Sequence, residues 1–149
     1  MLLSLSWLAG AATAGADAIE GVWQVENKQA HIRIARCGVE LCGTIVWLRD
    51  SLDEHGRPHT DSENGDPDLR SRPVLGLDIL HIGAEPDGEG VWRGGRIYDP
   101  DSGRTYRCTL KLDGENVLRM RGYMGIPLLG HSTRWTRIES EVAEPTPPR

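Results

Sequence analysis

At 149 residues the chain has room for one domain with a proper core and not for two. Its net charge of -5 leaves no basic stripe of the kind that phosphate-backbone binding needs, which argues against a nucleic-acid partner. Aromatic content is only 5% and Phe is absent, so aromatic bulk rests on Trp and Tyr, whose polar handles need partners.

The first sixteen residues hold an apolar stretch over 2–12, followed by the small-residue triplets Ala12-Thr13-Ala14 and Ala14-Gly15-Ala16. That pattern reads as a secretory signal over 1–16, with a mature chain starting near Asp17 in the periplasm or beyond. The other reading is an N-terminal segment that is disordered or docked. A membrane span is excluded by length, since about 20 apolar residues are needed.

From Gly21 to Ile138 the chain repeats short runs of alternating apolar and polar residues, each closed by Gly, Asp, Asn or Pro. The runs fall at 22–26, 31–37, 42–48, 74–82, 91–99, 104–112, 116–123 and 132–138, and none has helical periodicity. Eight antiparallel strands in chain order close most economically into an up-and-down barrel, because closure removes the exposed edges. The expected fold is therefore all-β, a single barrel domain over 17–138. Residues 139–149 contain Glu-Pro-Thr-Pro-Pro, which cannot join a sheet ladder, and are expected to form a disordered tail.

Cys37 and Cys42 stand at the end of the second run and the start of the third, where a disulfide would pin a hairpin. The alternative is half a metal site, but no further Cys or His pair completes one at familiar spacing. Cys108 shares a strand face with Tyr106, Leu110 and Leu112, which reads as a buried inert thiol. Between the third and fourth runs lies a polar loop over 49–73, with turns expected at Asp53-Glu54-His55-Gly56-Arg57-Pro58 and Asn64-Gly65-Asp66-Pro67-Asp68. The second turn is expected to open a short helical turn through 69–71. Such a connection is too long for a mere linker in a compact domain. It would sit over one mouth of the barrel. His55 and His59 beside Asp53 and Asp61 offer metal-ligand chemistry in no established order, so a solvated acidic loop in which Arg70 and Arg72 pair with the acids is the expectation, with no metal and no cofactor.

No catalytic template is complete. Gly130-His131-Ser132 lacks the strand-turn-helix context of a nucleophile elbow, and Gly94-Gly95 interrupts a strand rather than opening a phosphate-binding helix. Glycines inside a strand mark a bulge, a bend or a close backbone approach. Asp99, in Asp99-Pro100-Asp101-Ser102-Gly103, reads as a turn-forming carboxylate. The chain is therefore expected not to be an enzyme.

Motifs across 19–138 resemble a family of small secreted bacterial proteins designated domain of unknown function 2147 (DUF2147). The resemblance is carried by Ile19-Glu20-Gly21-Val22-Trp23, Arg36-Cys37 with Cys42-Gly43, Ile45-Val46-Trp47-Leu48, Asp61 and Asn64, and Arg72-Pro73. It continues through Gly94-Gly95 with Ile97-Tyr98-Asp99-Pro100 and Gly103, then Arg121-Gly122-Tyr123 and Trp135. The family carries Pro after its Asn, where this chain has Gly65. The resemblance implies a lipocalin-like, calycin-like barrel that is exported, and supplies no established ligand residues. Gly21-x-Trp23 is also similar to the lipocalin opening motif, in which a first-strand Trp packs under a basic residue from the last strand. Arg134 or Arg137, flanking Trp135, would supply that partner.

A barrel of this size is either filled by its own side chains or holds one small ligand. The leading expectation is a binding protein for a small, mostly apolar molecule. Its interior would draw on Ile32, Ile34, Ile45, Trp47, Ile97, Tyr106, Cys108, Leu110, Leu118 and Met120, with Tyr98 or Tyr123 offering a hydroxyl. The alternative is a cell-envelope scaffold with a filled barrel, whose acidic loop and outer face contact a protein partner.

Overall fold

The computed structural model describes residues 15–139, so the expected signal segment and Pro-rich tail lie, but for their innermost residues, outside the described part. Eight strands follow in order: β1 Gly21–Gln24, β2 Ala30–Cys37, β3 Glu40–Leu48, β4 Asp78–Gly83, β5 Val91–Asp99, β6 Arg104–Leu112, β7 Val117–Tyr123 and β8 His131–Ile138. Each pairs antiparallel with its neighbour, and β1 pairs with β8 through Val22 opposite Ile138 and Trp23 opposite Arg137, which closes the barrel. All eight expected strands are present, and β5 and β6 have the bounds read from the alternation.

The expected fourth strand is the one that shortens. Residues 74–77 are apolar enough to read as strand, but their backbone is spent elsewhere: Val74 N–H donates to the His59 carbonyl, Gly76 N–H to Ile45, and Leu77 accepts from Ile45 N–H. Gly76 takes a positive φ of 94°, which ends regular pairing there. The strand begins only at Asp78.

The meander sorts the connections by end. The β1–β2, β3–β4, β5–β6 and β7–β8 connections gather at one end of the barrel, and the β2–β3, β4–β5 and β6–β7 turns gather at the other. The second end is closed. A short 3-10 turn, Ala16–Ala18, leads into Ile19, and both Ala16 and Ile19 are buried beneath it. Trp23, Ile34, Leu41, Ile82, Trp92, Cys108, Leu110 and Leu118 fill this half with almost no exposure. Two glycines let the wall draw tight. A side chain at Gly43 would run into Leu80, and one at Gly95 would lie 2.7 Å from Ile82 and 2.8 Å from Cys108 Sγ. Gly94 beside it adopts φ 71° at a register shift in the β5–β6 ladder, so the Gly-Gly pair makes both a bulge and a close approach.

Cys37 and Cys42 are disulfide-bonded across the β2–β3 turn, with Cα atoms 5.8 Å apart. The five-residue separation makes a small loop, whose closure confers a stabilisation toward the lower part of the usual ~2–4 kcal/mol. Cys108 is a buried free thiol, and burial pushes its pKa up to about 12.

Candidate functional site: a cavity in the open half of the barrel

The closed end is locked by Trp23 and Arg137. Trp23 Nε1 donates to the Ile19 carbonyl at 2.9 Å, satisfying the polar handle of a fully buried indole. The Arg137 guanidinium lies 4.3 Å from the Trp23 ring centroid, a cation-π contact worth roughly 0.5–2 kcal/mol. Its nitrogens also donate to the carbonyls of Glu115, Glu20 and Ala18 at 2.9, 2.8 and 2.7 Å. One side chain therefore ties the N-terminal segment, the β6–β7 turn and the Trp plug together. Arg134, the other candidate, points outward, 3.7 Å from Asp113, because it stands on the opposite face of β8 from Trp135.

Above this plug the interior opens into a cavity of about 810 Å³, within the range of small-molecule sites. Its deeper wall is apolar: Ile32, Ile45, Ile79, Ile97, Met120 and Trp135. Tyr106, Gly122 and Thr133 continue it upward, and Thr133 Oγ1 is buried without a hydrogen-bond partner. The mouth is polar, with Glu26, Asn27, Gln29, Asp50, His59, Glu63, Asp99, Asp101 and His131 around it.

Of the side chains expected to line a pocket, Ile97, Tyr98, Tyr106 and Met120 border the cavity, as do Ile32 and Ile45. Six stand elsewhere. Ile34, Cys108, Leu110 and Leu118 face inward but lie in the packed lower half, with almost no exposure, among the plug residues. Tyr123 falls on the outward face of β7, since Leu118, Met120 and Gly122 take the inward positions. Trp47 is 40% exposed and stacks on His31 at 4.2 Å outside the barrel. The cause is a bulge. In the β2–β3 ladder Trp47 pairs with His31 but Ile45 pairs with Ile32, so Val46 is the extra residue and the alternation flips.

The long connection over the mouth is not simply a solvated acidic loop. Asp61 is fully buried; its Oδ1 accepts from the Tyr98 hydroxyl at 2.6 Å, and its Oδ2 from Asn64 Nδ2 at 2.8 Å and from Arg72 Nε at 2.9 Å. Arg72 Nη2 adds a second contact at 2.8 Å. Burial pushes the Asp61 carboxyl up, but the hydrogen bonds from Tyr98, Asn64 and Arg72, with the Arg72 charge, outweigh it and hold the group below the usual carboxylate range. Burial and then the Asp61 carboxylate push the Tyr98 phenol up. Its hydroxyl also accepts from Asn64 at 3.1 Å, so it is engaged by the loop rather than offered to the cavity. The loop seats on the β5–β6 turn where Gly103 has φ 69°, and a Cβ at that position would overlap the Glu63 carbonyl oxygen. The helical turn expected over 69–71 falls two residues earlier, as a 3-10 turn over Pro67–Leu69, because Asp66 caps it by accepting from Asp68 N–H and Pro67 takes the first position. Arg70 Nε caps the Asn64 carbonyl at 2.7 Å.

The loop histidines and acids do not converge on a metal. Asp53 accepts from His55 and Arg57 N–H within its own turn, Asp61 is consumed as described, and His59 lies at the mouth. Among the described residues, the grouping with metal-ligand character is Cys37, Cys42 and His81. Its two sulfurs are joined to each other, with His81 Nδ1 3.4 Å from Cys42 Sγ and 3.7 Å from Glu40.

A closed eight-stranded meander plugged at one end and hollow at the other defines a lipocalin-like barrel. Consistent with this, the chain is similar in structure to protein HP1028 from Helicobacter pylori, described as belonging to the lipocalin family, with a TM-score of 0.71 at 19% identity, covering 83% of this chain and 84% of that one. Residues 21–137 match the family described as an uncharacterized protein conserved in bacteria, DUF2147, and the chain belongs to that family. Among curated proteins none matches the sequence.

Proposed function

We propose that this protein binds a small, mostly apolar molecule in the open half of its barrel, as a carrier or sensor rather than an enzyme, and that it does so outside the cytoplasm. The observation that carries the reading is the cavity of about 810 Å³ walled by Ile32, Ile45, Ile97, Met120 and Trp135 directly above a fully packed plug. Apolar side chains facing such a space lose packing partners, and an apolar guest restores them. The lipocalin-like fold supports the reading at the level of architecture. The disulfide at the closed end fits an oxidising compartment, and supports export. The test is titration with an apolar, environment-sensitive fluorophore. One-to-one saturable binding supports the pocket, and no binding above background contradicts it.

A second reading is favoured by one observation. Met124, Ile126, Leu128 and Leu129, on the β7–β8 connection at the mouth, are 55%, 54%, 82% and 73% exposed. Such a cluster supports a reading in which the mouth contacts a partner protein of the cell envelope. The two readings are compatible if the mouth meets a donor or acceptor of the guest.

A further inference from the structure

We propose that the Cys37–Cys42 disulfide is one of two states of the β2–β3 hairpin, and that in the dithiol state the same two sulfurs, with His81 and Glu40, hold a zinc ion. The site lies on the outer wall at the closed end and is independent of the cavity and of what the cavity takes. The ladder places the four donors. The β2–β3 turn has two residues, Gly38 with φ 70° and Val39, so Cys37 stands opposite Glu40. Cys42, two residues further along β3, stands opposite His81 on β4. Leu41 and Gly43 take the inward positions beside Cys42, as Leu80 and Ile82 do beside His81, which turns both donors outward. Glu40 shares that outer face with Cys42, because residues two apart on a strand point the same way.

The spacing suits a tetrahedral ion. Zinc bonds of about 2.0–2.3 Å put neighbouring ligand atoms about 3.3–3.8 Å apart. His81 Nδ1 stands 3.4 Å from Cys42 Sγ and 3.7 Å from Glu40 Oε2, and that nitrogen and the two sulfurs lie within 4.8 Å of one another. Among the described residues Glu40 has no lysine or arginine partner, which leaves its carboxylate for the ion. Two thiolates, an imidazole and a carboxylate are a set that zinc takes, and the soft sulfurs disfavour magnesium and calcium. All four donors stand on or beside paired strands, so side-chain rotation completes the site without rebuilding the backbone. Cys37 is exposed, which opens the bond to a dithiol reductant. That reductant gives up two electrons and two protons and becomes a disulfide, while the Cys37–Cys42 bond breaks into two thiols. Zinc then binds both sulfurs and displaces both protons to solvent. While the disulfide stands there is no thiolate to give, so the two states exclude each other.

The experiment titrates the full chain with Co²⁺, a coloured stand-in for zinc, before and after reduction under anaerobic conditions. The reduced protein is expected to bind one ion, with thiolate-to-cobalt charge-transfer bands in the near ultraviolet and intense tetrahedral bands in the visible. Zn²⁺ should bleach both. The oxidised protein should show neither. His81→Ala should weaken the ion at least roughly tenfold, the smaller loss seen even when groups behind metal ligands are removed, and should dim the visible bands. Cys108→Ala should leave the spectrum unchanged, since that thiol is buried on the inner face of β6. Zn²⁺ should also raise the melting temperature of the reduced protein, and not that of the Cys37→Ser, Cys42→Ser double variant. If reduction unfolds the barrel, zinc is expected to restore its far-ultraviolet dichroism. Absent thiolate bands in the reduced protein, equal binding by the oxidised protein, bands undiminished in His81→Ala, or a reduced chain left unfolded by zinc would each overturn the proposal.

Discussion

The two halves of this barrel are made from the same strands and differ in what their inward side chains do. In the lower half, Trp23, Trp92, Leu110 and Leu118 fill the cross-section completely, and Arg137 seals the plug by capping three carbonyls. In the upper half, Ile97, Tyr106, Met120 and Thr133 stand around open space. Stability is therefore concentrated at one end, and the capacity to take a guest at the other. The upper half is held by a different device: a buried carboxylate, Asp61, that gathers Tyr98, Asn64 and Arg72 and fixes the long connection.

Substitutions that separate the halves make the contrast testable. The largest effect is expected from Trp23→Ala, which empties the plug and removes the platform under Arg137. A loss of about 3–5 kcal/mol in denaturant unfolding is expected, as for large aromatic truncations in cores. Guest binding by the fraction that remains folded should persist, and its loss at unchanged stability would show that Trp23 borders the cavity.

Asp61→Ala should come next, at roughly 2–4 kcal/mol, because it strands buried partners while Arg72 keeps some access to water. Hydrogen exchange should rise through the 49–77 connection and not at the closed end. The pH dependence follows from the direction of the Asp61 shift. Its folded pKa lies below the ordinary carboxylate value of about 3.9 in the unfolded chain, so its contribution is present in full above that value and is lost as pH falls through the lower folded one. The acid limb of the stability curve should flatten in Asp61→Asn. An unchanged limb would mean that this group does not govern the loop. The smallest effect is expected from Trp47→Ala, about 0.5–1.5 kcal/mol, the size of its stacking on His31 outside the barrel. Loss of guest binding in that variant would put Trp47 at the cavity after all.

The strands were legible because period-two alternation and turn residues agree over nearly every run, and Trp23 with a basic partner on β8 was legible from motif and chain order. Height along the barrel was not. Alternation tells which face Leu118 and Met120 share, but the register of the whole meander decides that Leu118 meets Trp135 in the packed half while Met120, opposite Thr133, reaches the cavity. Trp47 was misplaced by a bulge that its own sequence does not announce. Asp61 looked like one acid among many in a polar loop, since its partners Tyr98 and Arg72 lie 37 and 11 residues away. The grouping of Glu26, Glu63 and Asp101 at one mouth had a signal in the chain order: alternate turns of a meander share an end.

The most direct test of a filled lower half beneath a hollow upper half is to place the same bulk in each. Met120→Trp and Leu118→Trp lie two residues apart on one strand, on the same face. We expect Met120→Trp to abolish fluorophore binding with little change in melting temperature, because the indole occupies the cavity. Leu118→Trp should overpack the plug, cost roughly 1–3 kcal/mol, and leave binding by the folded protein intact. Equal destabilisation by both, with no binding in the wild type, would show a barrel filled along its whole length and contradict the account.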